Sequence, residues 1–380
     1  MTQVHRFAVL DSFRGLCAAC LVFFHIQLVS GFTESLFIRN ADLLVNFFFV
    51  LSGFVLAYAY GSREHLNLRG FLVARSFRLV PLHWFMLGVF VLLEIAKLLA
   101  GRWGLGLNHP AFTGPFALQQ FVPNLLLIQA WAPHAWPMSF NYPSWSISVE
   151  FYIYLLFAAI MLLGARFLMW AGVALVAGLL LILQVPVLNE RALTGLACFF
   201  AGCVTYRAFV YCRGLGQVSV ALMTVFELLA LAVVVLVGST RFAEQSLLAS
   251  VVFCVVVLLF AFEGGYVSVL LRARLFAWLG RLSYSIYMTH AAVLFGLTAG
   301  FILLEKRTGL QLTSMFEARR YLDTGSALGN SLLALGFLAV VVLVSVFTYR
   351  YVEQPGQALG RRLAGASAAP RGNLDVTELP

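Results

Sequence analysis

Apolar stretches of about 20 residues recur along this chain, broken by short polar segments, and none alternates apolar with polar positions. A helix rising about 1.5 Å per residue needs about 20 such residues to cross the hydrocarbon core of a bilayer. The strands of a membrane barrel would instead show a period of two. Ten stretches fit the helical pattern: residues 12–31, 43–60, 79–100, 143–163, 167–185, 193–210, 218–238, 244–262, 282–304 and 328–350. They predict an all-α fold, a polytopic membrane helix bundle of about ten transmembrane helices. Residues 101–142 break the rhythm. Their apolar part, Phe116 to Trp131, is short and carries Pro123, so a re-entrant or interfacial element is expected there. The pattern divides the chain into one transmembrane domain, residues 1–358, and a disordered tail, residues 359–380. No internal repeat is visible, which argues against an inverted-repeat transporter.

Composition supports the membrane assignment, because 62% of the residues are hydrophobic and only 11% are charged. Ordinary soluble domains carry about 25% charged residues. The net charge of +9 reads as an orientation signal. With the N-terminus inside, 16 of the 25 basic residues fall on inner segments, so both termini are expected in the cytoplasm. No basic run is interleaved with stacking aromatics, so no nucleic-acid partner is expected. The first apolar run follows a charged start without a small-residue cleavage site and is expected to stay as a helix. Cys17 and Cys20 form a C-x-x-C inside that helix with no second ligand pair, and they read as small buried hydrophobes. No metal site is expected.

Chemistry should lie where polar residues interrupt the apolar runs. In the first run Asp11, Arg14, Ala18 and His25 share one helical stripe, and His25 lies about 21 Å along the helix from Asp11. Pro143-Ser144-Trp145-Ser146-Ile147-Ser148-Val149-Glu150 opens the fourth span from the outer side and puts Glu150 about 10 Å inward. His25, some six residues below an outer helix end near Gly31, should sit at similar depth. An imidazole and a carboxylate at one depth can form a base with its orienting partner, or a structural pair that pins two helices. Arg75 and Arg78, at i and i+3 in the loop before the third span, suit phosphate, or mark orientation at lipid headgroups. Ser283, Tyr284, Tyr287 and His290 form a polar stripe entering the ninth span. They line a narrow channel or serve as interhelical glue, with His290 about 12 Å deep and well short of His25. Asn46 and Ser52-Gly53 punctuate the second span as packing polar groups. Glu353 closes the last span and is expected to pair with a loop arginine.

Six segments, taken in order, resemble the acyltransferase 3 family of integral-membrane O-acyltransferases. They are Leu10-Asp11-Ser12-Phe13-Arg14-Gly15 with His25, Asn46 to Phe54, Arg75-Ser76-Phe77-Arg78 with Pro81, Ser144 to Glu150, Ser283 to Tyr287 with His290, and Glu353-Gln354-Pro355. One departure is Asn46, where the family usually has an acidic residue. The resemblance implies transfer of an acyl group, most often acetyl, from cytoplasmic acyl-CoA to a hydroxyl of a carbohydrate such as a cell-surface polysaccharide or its lipid-linked precursor. Acyl-CoA is then a co-substrate, and no cofactor is implied. His25 and Glu150 become the catalytic candidates, with His25 either deprotonating the acceptor or carrying the acyl group. Arg14, Arg75, Arg78, Ser283, Tyr284, Tyr287 and His290 become candidates for holding the donor, and Asp11, Asn46, Ser52 and Glu353 structural polar groups. Trp103, Trp131 and Trp136 are sugar-stacking candidates or interface anchors. The expected location is the cell membrane, the inner one in a Gram-negative source. The rival classes are a multi-pass transporter using the buried polar groups as a path, and a non-catalytic membrane scaffold.

Overall fold

The structure is a computed structural model that describes residues 6–63, 65–102, 110–163, 165–216, 218–316 and 319–365. It is all-helical apart from one small hairpin among these residues. In chain order the helices are α1 (Ala8–His25), α2 (Leu36–Arg39), α3 (Leu44–Tyr60), α4 (Leu68–Arg102), α5 (Phe121–Leu125), α6 (Trp145–Met161), α7 (Arg166–Ile182), α8 (Glu190–Arg213), α9 (Val220–Gly238) and α10 (Gln245–Phe260). They continue with α11 (Tyr266–Leu271), α12 (Arg274–Thr308), α13 (Ala327–Thr348) and α14 (Gln354–Leu363). Strands β1 (Thr313–Phe316) and β2 (Arg319–Leu322) pair antiparallel between α12 and α13.

Each of the ten apolar stretches falls on a helix. Eight helical stretches are long and apolar enough to cross a bilayer, while α7 and α10 are shorter, so this is a multi-pass membrane protein. The described part of the 101–142 segment holds only short helical turns and α5, with Pro123 inside α5.

Several helices outrun their apolar windows, because hydropathy marks what lipid can touch and not where backbone hydrogen bonding stops. Helix α4 starts at Leu68, so Arg75 and Arg78 lie on a helix and not in the loop expected for them. Helix α12 starts at Arg274, eight residues before the apolar run that predicted it. Helix α14 continues to Leu363, so residues 359–363 are helical and not part of a disordered tail. Gly360 there is buried against Phe77 of α4. Residues 366–380 and Trp103 lie outside the described residues.

Helix α1 corrects the prediction in the other direction. It ends at His25 and not near Gly31. Ile26 turns extended, Val29 N–H donates to Leu322 O at 3.2 Å, and Leu322 N–H donates to Gln27 O at 3.0 Å. Pairing with β2 thus takes over the backbone groups that a longer helix would have used.

Two close crossings hold the bundle. Helices α1 and α12 run side by side in the same direction. Gly15 faces Gly280, Ser12 Oγ donates to Leu271 O at 2.7 Å, and His25 meets His290. A methyl on Gly15 would stand 2.6 Å from Gly280 N. Helices α3 and α8 meet in the same way at Gly53 and Gly202, where a methyl on Gly202 would stand 2.8 Å from Val50 C. Small residues allow this approach, and dispersion between the touching backbones holds it where lipid supplies no hydrophobic drive. Asn46 adds a polar link, donating to Ser246 Oγ at 3.0 Å and Ser250 Oγ at 3.1 Å across to α10. All six cysteines are free, Cys17 and Cys20 included.

Candidate active site

A cavity of about 300 Å³ opens between α1, α3, α4, α6 and α12. Its long wall is α3, which contributes residues from Val45 to Tyr58. Thirteen helical steps of about 1.5 Å make this wall about 20 Å long. Helix α3 runs opposite to α1, since Phe7 packs on Tyr58 at 4.8 Å and Phe13 on Phe47 at 6.0 Å between ring centroids. The cavity therefore has two unlike ends. Arg6, Asp11 and Arg14 of the start of α1, with Arg78 of α4, surround one of them. Val45, Phe48, Ser146, Ile147 and Tyr287 close the other.

The charged end is a mutually compensated cluster. Arg6 Nε lies 2.7 Å from Asp11 Oδ2, and Arg14 Nη1 lies 3.9 Å from Asp11 Oδ1. Arg78 feels the charges of Glu150, Glu353 and Asp11, and Arg14 those of Asp11 and Glu150. Glu150 accepts hydrogen bonds from Ser52 Oγ at 2.6 Å and from Tyr154 OH. Glu353, placed by a π-helical turn over Tyr349–Glu353, accepts from Ser285 Oγ at 2.6 Å and Gln357 Nε2 at 3.0 Å. No ion pair joins Glu353 to an arginine among the described residues, so the expected pair is replaced by these two neutral donors. Tyr284 donates its hydroxyl to Leu79 O at 2.6 Å, bracing α4 two residues before Pro81.

Of the residues expected to hold a donor, Arg14, Arg78, Ser283, Tyr284 and Tyr287 line this cavity. Arg75 does not. Its guanidinium lies over the rings of Phe71 and Tyr154, each centroid at 5.8 Å, and its Nε is buried without a hydrogen-bond partner. Arg6, one of the basic residues that mark the inner side, joins the cluster from just before α1. Tyr154 was also missed, and its i+4 spacing from Glu150 was the available signal.

His25 and Glu150 do not meet. The depth match assumed a helix continuing past His25, and the helix ends there. His25 is thus about 9 Å nearer its helix end than the spacing argument allowed. Its partner is His290, with Nε2 of His290 at 3.2 Å from Nδ1 of His25. The expected depth of His290 failed because α12 starts early: sixteen residues separate His290 from Arg274, about 24 Å of helix.

The partners fix the proton positions. His25 Nδ1 lies 2.8 Å from Leu21 O, an acceptor with no proton to give, so Nδ1 carries the hydrogen. His290 Nδ1 lies 3.3 Å from Ile286 O and carries its own, leaving His290 Nε2 as the acceptor that shares the His25 Nδ1–H. Among the described residues His25 Nε2 has no hydrogen-bond partner, so its lone pair is free on a half-buried ring. Tyr142 lies against both rings, at 4.7 Å from His25 and 5.9 Å from His290. Tyr287 links this pair to the cavity: it lines the apolar end, and its centroid is 5.9 Å from that of His290. An imidazole with one nitrogen anchored and the other bare, beside a long cavity with a cationic mouth, is suited to acid–base or nucleophilic work on an anionic substrate.

A family model described as an acyltransferase domain matches residues 7–350. The chain belongs to the acyltransferase 3 family. It is 30% identical over 360 residues to acyltransferase MdmB of Streptomyces mycarofaciens, covering 86% of this chain and 84% of that protein. A shorter similarity, 40% over 81 residues, links 20% of the chain to 40% of protein 2 in the picA locus of Rhizobium radiobacter. No solved structure gives a significant match. The matched region holds Arg14, Arg78, Glu150, both histidines and every residue lining the cavity except Arg6, so this acyltransferase carries nearly all of its candidate machinery within the family domain. Trp131 of the outer segment is tied down by donation to Ser148 O at 3.0 Å, while Trp136 is exposed.

Proposed function

We propose that the protein is a membrane O-acyltransferase that takes a short acyl group, acetyl first, from cytoplasmic acyl-CoA to a hydroxyl of a carbohydrate acceptor. The acceptor class is a cell-surface or exported polysaccharide or its lipid-linked precursor. The arginine-rich mouth faces the cytoplasm of the cell membrane in this reading. Arg6, Arg14 and Arg78 take the phosphates of the donor, displacing part of their pairing with Asp11 and Glu150. The pantetheine arm lies along the apolar wall of α3, which carries the thioester toward Tyr287 and the histidines.

The observation that carries this reading is the bare Nε2 of His25, held in place from behind by Leu21 O and His290. In direct transfer Nε2 takes the acceptor hydroxyl proton while the new C–O bond forms. The C–S bond then breaks, and the departing thiolate takes the proton from the imidazolium. In a relay Nε2 itself attacks the thioester carbonyl and the C–S bond breaks, giving an acyl-imidazolium and CoA thiolate; the acceptor oxygen then takes the acyl group as the C–N bond breaks, and its proton passes to the thiolate. The partial negative charge at the end of α1 complements the imidazolium in either case. Glu150 here balances the charged mouth and is not the partner of His25.

Purified protein in proteoliposomes, given labelled acetyl-CoA and a panel of glycan acceptors, tests the proposal. Wild type should transfer label or hydrolyse the thioester, and His25→Ala should do neither while keeping its thermal unfolding profile. Equal turnover by His25→Ala would overturn it. Acid-trapped label that vanishes in His25→Ala identifies the relay, and ternary-complex kinetics without trapped label identifies direct transfer.

A further inference from the structure

Tyr287 stands where the cavity stops and the histidine pair begins. Its hydroxyl is fixed by Ser146 Oγ at 2.8 Å and by donation to Pro143 O at 2.9 Å. Its ring is buried and lies 6.1 Å from Phe48 and 5.9 Å from His290, centroid to centroid. Phe48 faces the cavity from α3. Neither histidine lines the cavity. The Phe48–Tyr287 pair therefore stands between the apolar end of the cavity and the His290 ring.

From this we infer that Phe48 and Tyr287 form a threshold that selects the acyl chain by length, admitting short acyl thioesters to His25 and stopping longer ones. The inference rests on the donor and direction of the proposed function. The cavity's polarity sets which end of the donor arrives. Phosphates stay at the arginines, so the thioester and its acyl tail lead. The far end offers them Val45, Phe48 and Ile147, apolar groups with no charge to compensate. Two hydrogen bonds hold Tyr287 across the path, and its ring cannot swing aside without releasing both. Each extra methylene on the acyl group must then displace a fixed aromatic ring. A hydrophobic site discriminates one methylene by about 10-fold or more.

The test is a chain-length series of acetyl-, propionyl-, butyryl- and hexanoyl-CoA, read as the ratio of kcat/KM for hexanoyl to that for acetyl. Wild type should strongly favour acetyl. Phe48→Ala should raise the ratio by about 10-fold or more. Tyr287→Phe, which keeps the ring and removes both anchors, should raise it by about 5-fold, the worth of one net hydrogen bond. The conservative variant Phe48→Leu, measured alongside, keeps the comparison available if the alanine variant does not fold, and it should give a smaller rise. A ratio unchanged in folded, active Phe48→Leu and Tyr287→Phe overturns the threshold. A wild-type protein that uses no acyl-CoA of any length overturns the proposed function itself, and this is read before any variant is made.

Discussion

Replacing Gly15 with alanine places a single methyl where helices α1 and α12 touch, some ten residues from the candidate chemistry. The added carbon would meet Gly280 N and Leu279 C at 2.6 Å, whereas ordinary contact begins near 3.4 Å. Both neighbours are backbone, so no side chain can turn away. The helices must part by about 0.8 Å at the crossing, the difference between those two distances. Overpacking of this kind costs about 1–3 kcal/mol of stability. The functional cost should be larger than that number suggests. His25 rides on α1, while Tyr287 and His290 ride on α12, so helices that move as rigid rods shift the His25 ring against the end of the cavity as well as breaking the 3.2 Å histidine contact. A misplacement of about 1 Å can lower turnover by about 100-fold even when it originates far from the reacting atoms.

The assay is acyl transfer by purified Gly15→Ala under saturating donor, beside its thermal unfolding midpoint. The expected result is a loss of kcat approaching 100-fold with a donor KM close to wild type. Gly296→Ala is the matched control. It lies on α12 with nothing within 4 Å of the added methyl, and it should be silent or slightly stabilising. Wild-type kcat in Gly15→Ala would refute the reasoning. It would mean either that the crossing can relax locally or that the placement of His25 against α12 does not matter.

Four further outcomes are expected. His290→Ala should lower kcat by about 5-fold to 10-fold, because Leu21 O still anchors His25 and only one shared hydrogen bond is lost, while His290→Gln should recover part of the loss; inactivation as complete as in His25→Ala would make His290 a reacting group. Arg78→Ala should raise the acyl-CoA KM by about 10-fold or more with little change in kcat, and Glu150→Gln should lower that KM, since it removes a charge competing for the arginines and keeps an acceptor for Ser52 and Tyr154. A collapse of kcat in Glu150→Gln would return that residue to a catalytic role. Glu227 is fully buried and accepts from Gly265 N, Ser268 N and Ser268 Oγ, so Glu227→Ala should lose about 3 kcal/mol or more and show an early unfolding transition, while exposed Glu244→Ala should not.

The helices were legible because each apolar stretch is a local signal set by the thickness of the bilayer. The residues that matter were legible for a related reason: a charge or imidazole inside such a stretch is costly, so Asp11, Arg14, His25, Glu150 and His290 announce themselves. What joins them was not legible. Pairing depends on where each helix begins and how it leans, and hydropathy blurs both. Arg274 to Arg281 look like a basic loop and are the first two turns of α12, which lifts His290 to the level of His25. Ile26 to Val29 look like more helix and leave it, because β2 claims their backbone 293 residues later, counting from Val29 to Leu322.

These two errors have one origin, and it bears on how the site works. Both helix ends are set by tertiary partners and not by propensity: Ala8–His25 is stopped by a strand, and Arg274–Thr308 is carried inward against Gly15. The ring proposed to react therefore sits at a helix end with its last carbonyls beside it, and its partner comes from mid-helix on a neighbour locked at backbone distance. An imidazole in mid-helix would have its own turn around it and little room for an acceptor. At the end of α1, with the chain turning away along β2, Nε2 of His25 is left open on one side while Leu21 O and His290 hold the other. That asymmetry, anchored behind and bare in front, requires both features that local sequence patterns conceal.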